Sequence, residues 1–208
     1  MRKAALMALL FVAACGTGDN VVVGGIPEST LTPFVDFNTV NSVISGRAML
    51  FDGNGEATGT ESEVVLISDR PNLCAKLAAQ RDYFRNPQEL HRTLILYLPG
   101  TDHLGTFLPG RLGDEGTGSE IVAADPAKRD ACIQATGKPV APFPNVLTGY
   151  ISLRDWSEAA GGEAAGTFNL LFAPPQPLTS DNGFPFYGKF KTTVCTTLNG
   201  TLLPAATP

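Results

Sequence analysis

Three segments in the last third of this 208-residue chain alternate apolar and polar residues with a period of two, and nothing else constrains the fold as tightly. Across 147–153, Leu147, Gly149, Ile151 and Leu153 alternate with Thr148, Tyr150 and Ser152. Across 166–172, Gly166, Phe168, Leu170 and Phe172 alternate with Thr167, Asn169 and Leu171. Across 186–194, Phe186, Gly188, Phe190, Thr192 and Val194 alternate with Tyr187, Lys189, Lys191 and Thr193. Successive side chains of a strand point to opposite faces, so each segment reads as a strand with one core face. Turn-rich stretches at 155–163 and 173–182 separate them, which predicts an antiparallel meander.

Further strands are expected at 43–51, 63–68, 92–98, 105–108 and 120–123. One segment, 71–81, breaks the pattern: Leu73, Cys74, Leu77 and Ala78 share a face at helical spacing, with Pro71 placed for a first turn. It is expected as a short helix packed over one end or face of the sheets. Plentiful glycine (22) and proline (16), with only 17% charged residues, suit short strands and many turns better than a helical bundle. The expected class is all-β: an antiparallel β-sandwich or partly closed barrel of about seven to eight strands with one short helix. A weak echo recurs in Gly105-Thr106-Phe107, Gly166-Thr167-Phe168 and Gly188-Lys189-Phe190. It reads as glycine making room for a neighbouring ring in a thin sandwich.

The N-terminus carries an address. Arg2 and Lys3 precede the apolar stretch 4–12, which falls short of the roughly 20 residues needed to span a bilayer and suits a signal peptide. It runs into Val12-Ala13-Ala14-Cys15, followed by Gly16. This resembles the lipobox of bacterial lipoproteins, with Val12 where Leu is usual. The resemblance implies that Cys15 receives diacylglycerol before the signal is cleaved. One acyl chain binds marginally, whereas two or three anchor stably. Gly16 after the cysteine, by resemblance to lipoprotein sorting rules, points to the outer membrane. The alternative is an ordinary secretory signal and a soluble secreted or periplasmic protein. The expected layout is a lipoprotein signal peptide at 1–14, a flexible tether at 15–36 in which 21–23 could add an edge strand, a sandwich domain at 37–196, and a flexible tail at 197–208.

Chemistry is sparse in this sequence. No stretch concentrates Lys and Arg, and the net charge is -5, so nucleic acid is not an expected partner. The two histidines, His91 and His103, lack metal-ligand spacing and read as surface or loop residues. A G-x-S-x-G elbow is absent. Asp52-Gly53-Asn54-Gly55-Glu56 distantly suggests a calcium loop and more simply a turn. The region 102–120 carries Asp102, Asp114, Glu115 and Glu120 among glycines, and a solvated loop is favoured over a calcium site. Trp156 is read as packing over the sandwich edge in preference to a sugar platform. Neither catalytic residues, a metal site nor a cofactor is expected.

If Cys15 carries lipid, Cys74, Cys132 and Cys195 remain, and at most one internal bridge can form. An oxidising compartment favours a bridge. Cys74 lies on the apolar face of the expected helix and Cys195 ends the last strand, so Cys74–Cys195 is the expected pair, with Cys132–Cys195 as its rival.

With the lipobox, the run Leu66-Ile67-Ser68-Asp69-Arg70-Pro71-Asn72-Leu73-Cys74 and the closing pattern Gly166-Thr167-Phe168, Gly188-Lys189-Phe190 and Cys195, the chain resembles uncharacterised bacterial lipoproteins with one small β-rich domain. The resemblance spans most of 43–195, and its motifs imply fold and address only. The expected role is therefore a non-enzymatic binding or structural one, held to the membrane through the N-terminal lipid, with an envelope protein or glycan as partner. The alternative is a hydrolytic or metal-dependent envelope enzyme with a site in the 102–120 loop; a third reading is calcium-stabilised adhesion.

Overall fold

The computed structural model describes residues 20–26, 35–36, 39–52, 54–98, 104–109, 118–124, 146–172 and 183–204. The alternating segments become three long antiparallel strands, β9 (Val146–Asp155), β10 (Glu163–Phe172) and β11 (Phe184–Thr193). Short strands β1 (Val21–Val23) and β7 (Gly105–Phe107) complete sheet I, in the order β1-β11-β10-β9-β7. Sheet II has the order β12-β4-β5-β6-β8. Its strands are β4 (Ser42–Phe51), β5 (Ala57–Ser68), β6 (His91–Leu98), β8 (Gly118–Ala124) and β12 (Leu202–Pro204). A two-residue pair, β2 (Gly25–Ile26) with β3 (Val35–Asp36), forms a separate small sheet whose β2 lies against β11. Among the described strands the order of each large sheet is open at both ends, so the architecture is a sandwich and not a closed barrel.

Two cores lie on either side of sheet II. The first fills the space between the sheets: Val65, Ile67, Leu94 and Leu96 from sheet II meet Ile151, Phe168, Leu170 and Phe186 from sheet I. The second lies on the opposite face of sheet II, where Val64, Leu66, Ile95 and Tyr97 are covered by Leu73, Leu77, Tyr83, Phe84 and Leu198. Helix α1 (Leu73–Ala79) carries the first two of those covering residues. It starts later than Pro71 because Asn72 takes a left-handed conformation (φ 57°) that ends the preceding turn, and Ala78 faces solvent. Cys74 and Cys195 are disulfide-bonded, with Cα atoms 5.9 Å apart, and tie α1 to the end of the last long strand.

The Gly-x-Phe echo has a geometric meaning in the meander. Because β10 and β11 run antiparallel, Gly166 pairs with Phe190 and Phe168 with Gly188, so each glycine lies opposite the other motif's ring. A Cβ at Gly166 would stand 3.0 Å from the Phe190 ring, and one at Gly188 would stand 2.9 Å from that of Phe168. Nothing lies within 4 Å of such a Cβ at Gly105, so that copy does not share the arrangement.

Within the expected tether the edge strand at 21–23 forms, and within the expected tail residues 198–204 are packed against sheet II. Val22 of β1 is buried in the first core, and β1 pairs with β11 through Val21–Lys189, Val22–Gly188 and Val23–Tyr187. At the other end the chain leaves sheet I after Thr193. The Cys195 amide donates to the Ser45 carbonyl (2.8 Å), a 3-10 turn forms at Thr196–Leu198, and β12 joins sheet II parallel to β4. Leu198 and Leu203 are fully buried, and that burial orders residues beyond 196.

Candidate functional site

Among the described residues, sheet II is covered on both faces and sheet I on one. The other face of sheet I is built from the polar halves of the alternating strands. Cross-strand pairs share a face, so the pairings define its rows. One row runs Val23, Tyr187, Asn169, Tyr150 across β1, β11, β10 and β9. The next runs Val21, Lys189, Thr167, Ser152, Thr106, extending to β7. Tyr187 and Tyr150 are 48% and 39% exposed, unusual for large rings and decisive here, because both lie on this face.

Beyond the second row a groove of about 400 Å³ is lined by Ser152, Arg154, Thr167, Lys189 and Lys191, with Gly166 and Phe190 beneath. The register between β9 and β10 shifts between Ala165 and Gly166, which leaves Arg154 as an extra residue without a directly opposed partner. Such a bulge re-aims the side chain it carries. Arg154 Nε donates to Asp155 Oδ2 (3.0 Å), and Lys191 Nζ lies 3.3 Å from Glu163 Oε2. Among the described residues no carboxylate pairs with Lys189, whereas Arg154 and Lys191 each have one. Thr106 Oγ1 donates to Ser152 Oγ (3.1 Å), and Asn20 Oδ1 accepts from the Lys191 amide (2.8 Å) at the β1 edge.

A second polar cluster sits at the margin of the second core. Contrary to the surface or loop position expected of it, His91 is fully buried, as the first residue of β6. Its ring lies against Tyr83 at 4.9 Å and edge-on to Phe84 at 5.5 Å. Burial pushes its pKa down to about 4, opposed by nearby Asp69 and Glu89. Thr93 Oγ1 lies 3.4 Å from His91 Nδ1 and donates to Ser68 Oγ (2.9 Å), while Nε2 has no hydrogen-bond partner. Hydroxyl, imidazole and carboxylate are thus neighbours, but they do not form a triad. Asp69 accepts from the Arg92 amide (2.9 Å) and pairs with Arg70 and Arg92 (3.2 Å each). Ser68, His91 and Thr93 are wholly shielded from solvent.

Other expectations fall out as follows. Asp52 Oδ1 accepts the Asn54 and Glu56 amides (2.8 and 2.9 Å), so this carboxylate closes the β4–β5 turn, and these bonds hold its pKa below the usual carboxylate range. Trp156 is half-buried and packs against the first core. Cys15, Cys132, Asp102, His103, Asp114 and Glu115 lie outside the described residues, as does the side chain of Glu120. Among the described residues no three His, Cys, Asp or Glu side chains converge on a metal position. Tyr150, Asn169, Tyr187 and Lys189 were not singled out from the sequence. Their signal was available: tyrosine at polar positions of strongly alternating strands.

Comparison of the chain with protein-family models, curated proteins and solved structures returns no match.

Proposed function

We propose that this chain is an exported bacterial lipoprotein, anchored through Cys15, whose sandwich has a non-enzymatic binding role at the envelope through the polar face of sheet I. The observation that carries the binding role is the placement of two exposed tyrosines and Lys189 on one face of sheet I, where among the described residues no carboxylate pairs with the lysine. The lipobox resemblance supports the address, and the Cys74–Cys195 bridge suits the oxidising compartments outside the cytoplasm. Five residue steps separate Cys15 from Asn20, and they reach at most about 18 Å when extended. Lipid at Cys15 would hold the β1 edge of the face within that distance of the bilayer.

Mass spectrometry of membrane-extracted protein is expected to show an acylated peptide beginning at Cys15, and Cys15→Ala is expected to leave the membrane fraction. An unmodified N-terminus overturns the anchoring. For the binding role, the full chain carrying Thr167→p-benzoylphenylalanine is expected to form a photo-adduct in its own envelope, whereas Ala78→p-benzoylphenylalanine on the exposed side of α1 is not. Equal labelling, or none at Thr167, removes the face from consideration.

A further inference from the structure

Resting on the reading of this face as a binding surface, we infer that its occupant is a carboxylated, flat polysaccharide: Tyr187 and Tyr150 stack on two of its sugar rings while Lys189 pairs with a carboxylate. β11 and β9 flank β10, so the two tyrosines stand two strand spacings apart, about 10 Å. That is the length of a disaccharide. In a β-1,4-linked chain every second ring presents the same face, so a chain lying across the strands meets both tyrosines alike. The apolar C–H face of a pyranose suits an aromatic platform, and its hydroxyls need partners at the same level. Asn169 lies between the tyrosines, and Thr167 and Ser152 follow in the next row. Lys189 follows Tyr187 on the same face of β11, two residues and about 7 Å along the strand, where a carboxylate projecting sideways from the sugar chain arrives.

Other occupants fit less well. An extended peptide adds to a sheet edge, whereas Tyr187, Asn169 and Tyr150 lie on the inner strands β11, β10 and β9. A protein partner would seek a contiguous apolar centre, and here the apolar surface is one Val23–Tyr187 pair, divided from Tyr150 by Asn169. An anionic bilayer is read by clusters of about four to eight basic residues, whereas here, among the described residues, Arg154 and Lys191 are each paired with a carboxylate and Lys189 is not.

The test is isothermal titration of the full chain with hexamannuronate, a β-1,4-linked uronate, beside neutral cellohexaose and phosphatidylglycerol vesicles. Hexamannuronate is expected to bind, and cellohexaose roughly tenfold more weakly for want of the charge-assisted bond. Lys189→Ala is expected to weaken hexamannuronate about tenfold and leave cellohexaose unchanged. Tyr150→Ala and Tyr187→Ala are expected to weaken both sugars, with unfolding midpoints unaltered because the side chains are exposed. Hexamannuronate binding indifferent to Lys189→Ala and Tyr187→Ala overturns the proposal, as does binding to vesicles alone. Absence of sugar binding while the Thr167 photo-adduct persists overturns the glycan and leaves the binding face standing. Loss of both removes the face as well.

Discussion

Sheets I and II are built from strands of similar length yet obey different rules. In β5 and β6, Val64 to Ile67 and Leu94 to Leu98 are consecutive apolar residues, and all are within 1% of complete burial. In β10 and β11 buried and exposed residues alternate, as in Phe186, Tyr187, Gly188, Lys189, Phe190. Sheet II is packed by sheet I on one side and by the α1 segment on the other, so in these runs both strand faces are apolar, and the polar residues of β5 and β6 fall at their ends. Among the described residues sheet I is packed on one side. A continuous apolar run therefore marks a strand in the middle layer and an alternating one a strand in an outer layer, and only the outer layer has a face to spare for a partner.

The largest test of this contrast is the bridge that fastens the cover of sheet II. The double variant Cys74→Ala/Cys195→Ala opens a link between residues 121 apart, which the chain-entropy relation equates with about 5 kcal/mol. Urea unfolding should show a loss of this order. Hydrogen exchange should rise first in α1 and the strands it covers, with the meander β9–β11 more protected. Uniform exchange would mean that the two layers unfold as one.

Adjacent substitutions probe the faces directly. In sheet II both Val65→Ala and Leu66→Ala remove buried side chains, the first from between the sheets and the second from beneath α1. Each should be destabilising, with Leu66→Ala costing about 2–5 kcal/mol. In sheet I, Phe168→Ala should cost about 3–5 kcal/mol and its neighbour Thr167→Ala no more than about 0.5 kcal/mol. Denaturation midpoints decide: a silent Leu66→Ala would show that the second core is not a core.

Acid should act on the covered side. His91 titrates near 6.5 when unfolded and about 4 when folded, so between these values the unfolded state binds more protons. The stability from keeping the ring neutral is complete above about pH 6.5, falls as pH drops, and is gone near pH 4. The whole step is about 3 kcal/mol. His91→Phe retains the stacking on Tyr83 and should flatten the pH profile across that window. An unchanged slope would assign the acid sensitivity elsewhere. Gly166→Ala tests the fit within the outer layer, because its Cβ meets the Ser152 carbonyl at 2.3 Å and the Phe190 ring at 3.0 Å, so backbone as well as ring must give. Such overpacking costs about 1–3 kcal/mol, and a thermal melt that does not move would show that the rings can yield.

The comparison also separates what could be read in the chain from what could not. Alternation in 147–153, 166–172 and 186–194 determined three half-buried strands and their meander, because period two is a local property of the strand. The apolar runs around Val64 and Leu94 identified strands, and the spacing of Leu73, Cys74 and Leu77 supplied a helix face bearing the cysteine that bonds to Cys195. The burial of His91 was not legible, since a histidine at a strand start looks the same whether or not Tyr83 and Phe84 close over it. The order beyond residue 196 was not legible either, because β12 is held by Met49, Leu50 and Phe51 of a distant strand. The candidate site shows the division most plainly. Sequence placed Tyr150, Asn169 and Tyr187 on polar sides of three strands, and only the register of those strands set them in one row. Register is decided by which apolar sets fit together across the core, so it belongs to the tertiary structure, and a slip of a single residue would turn a strand's polar side chains into the core.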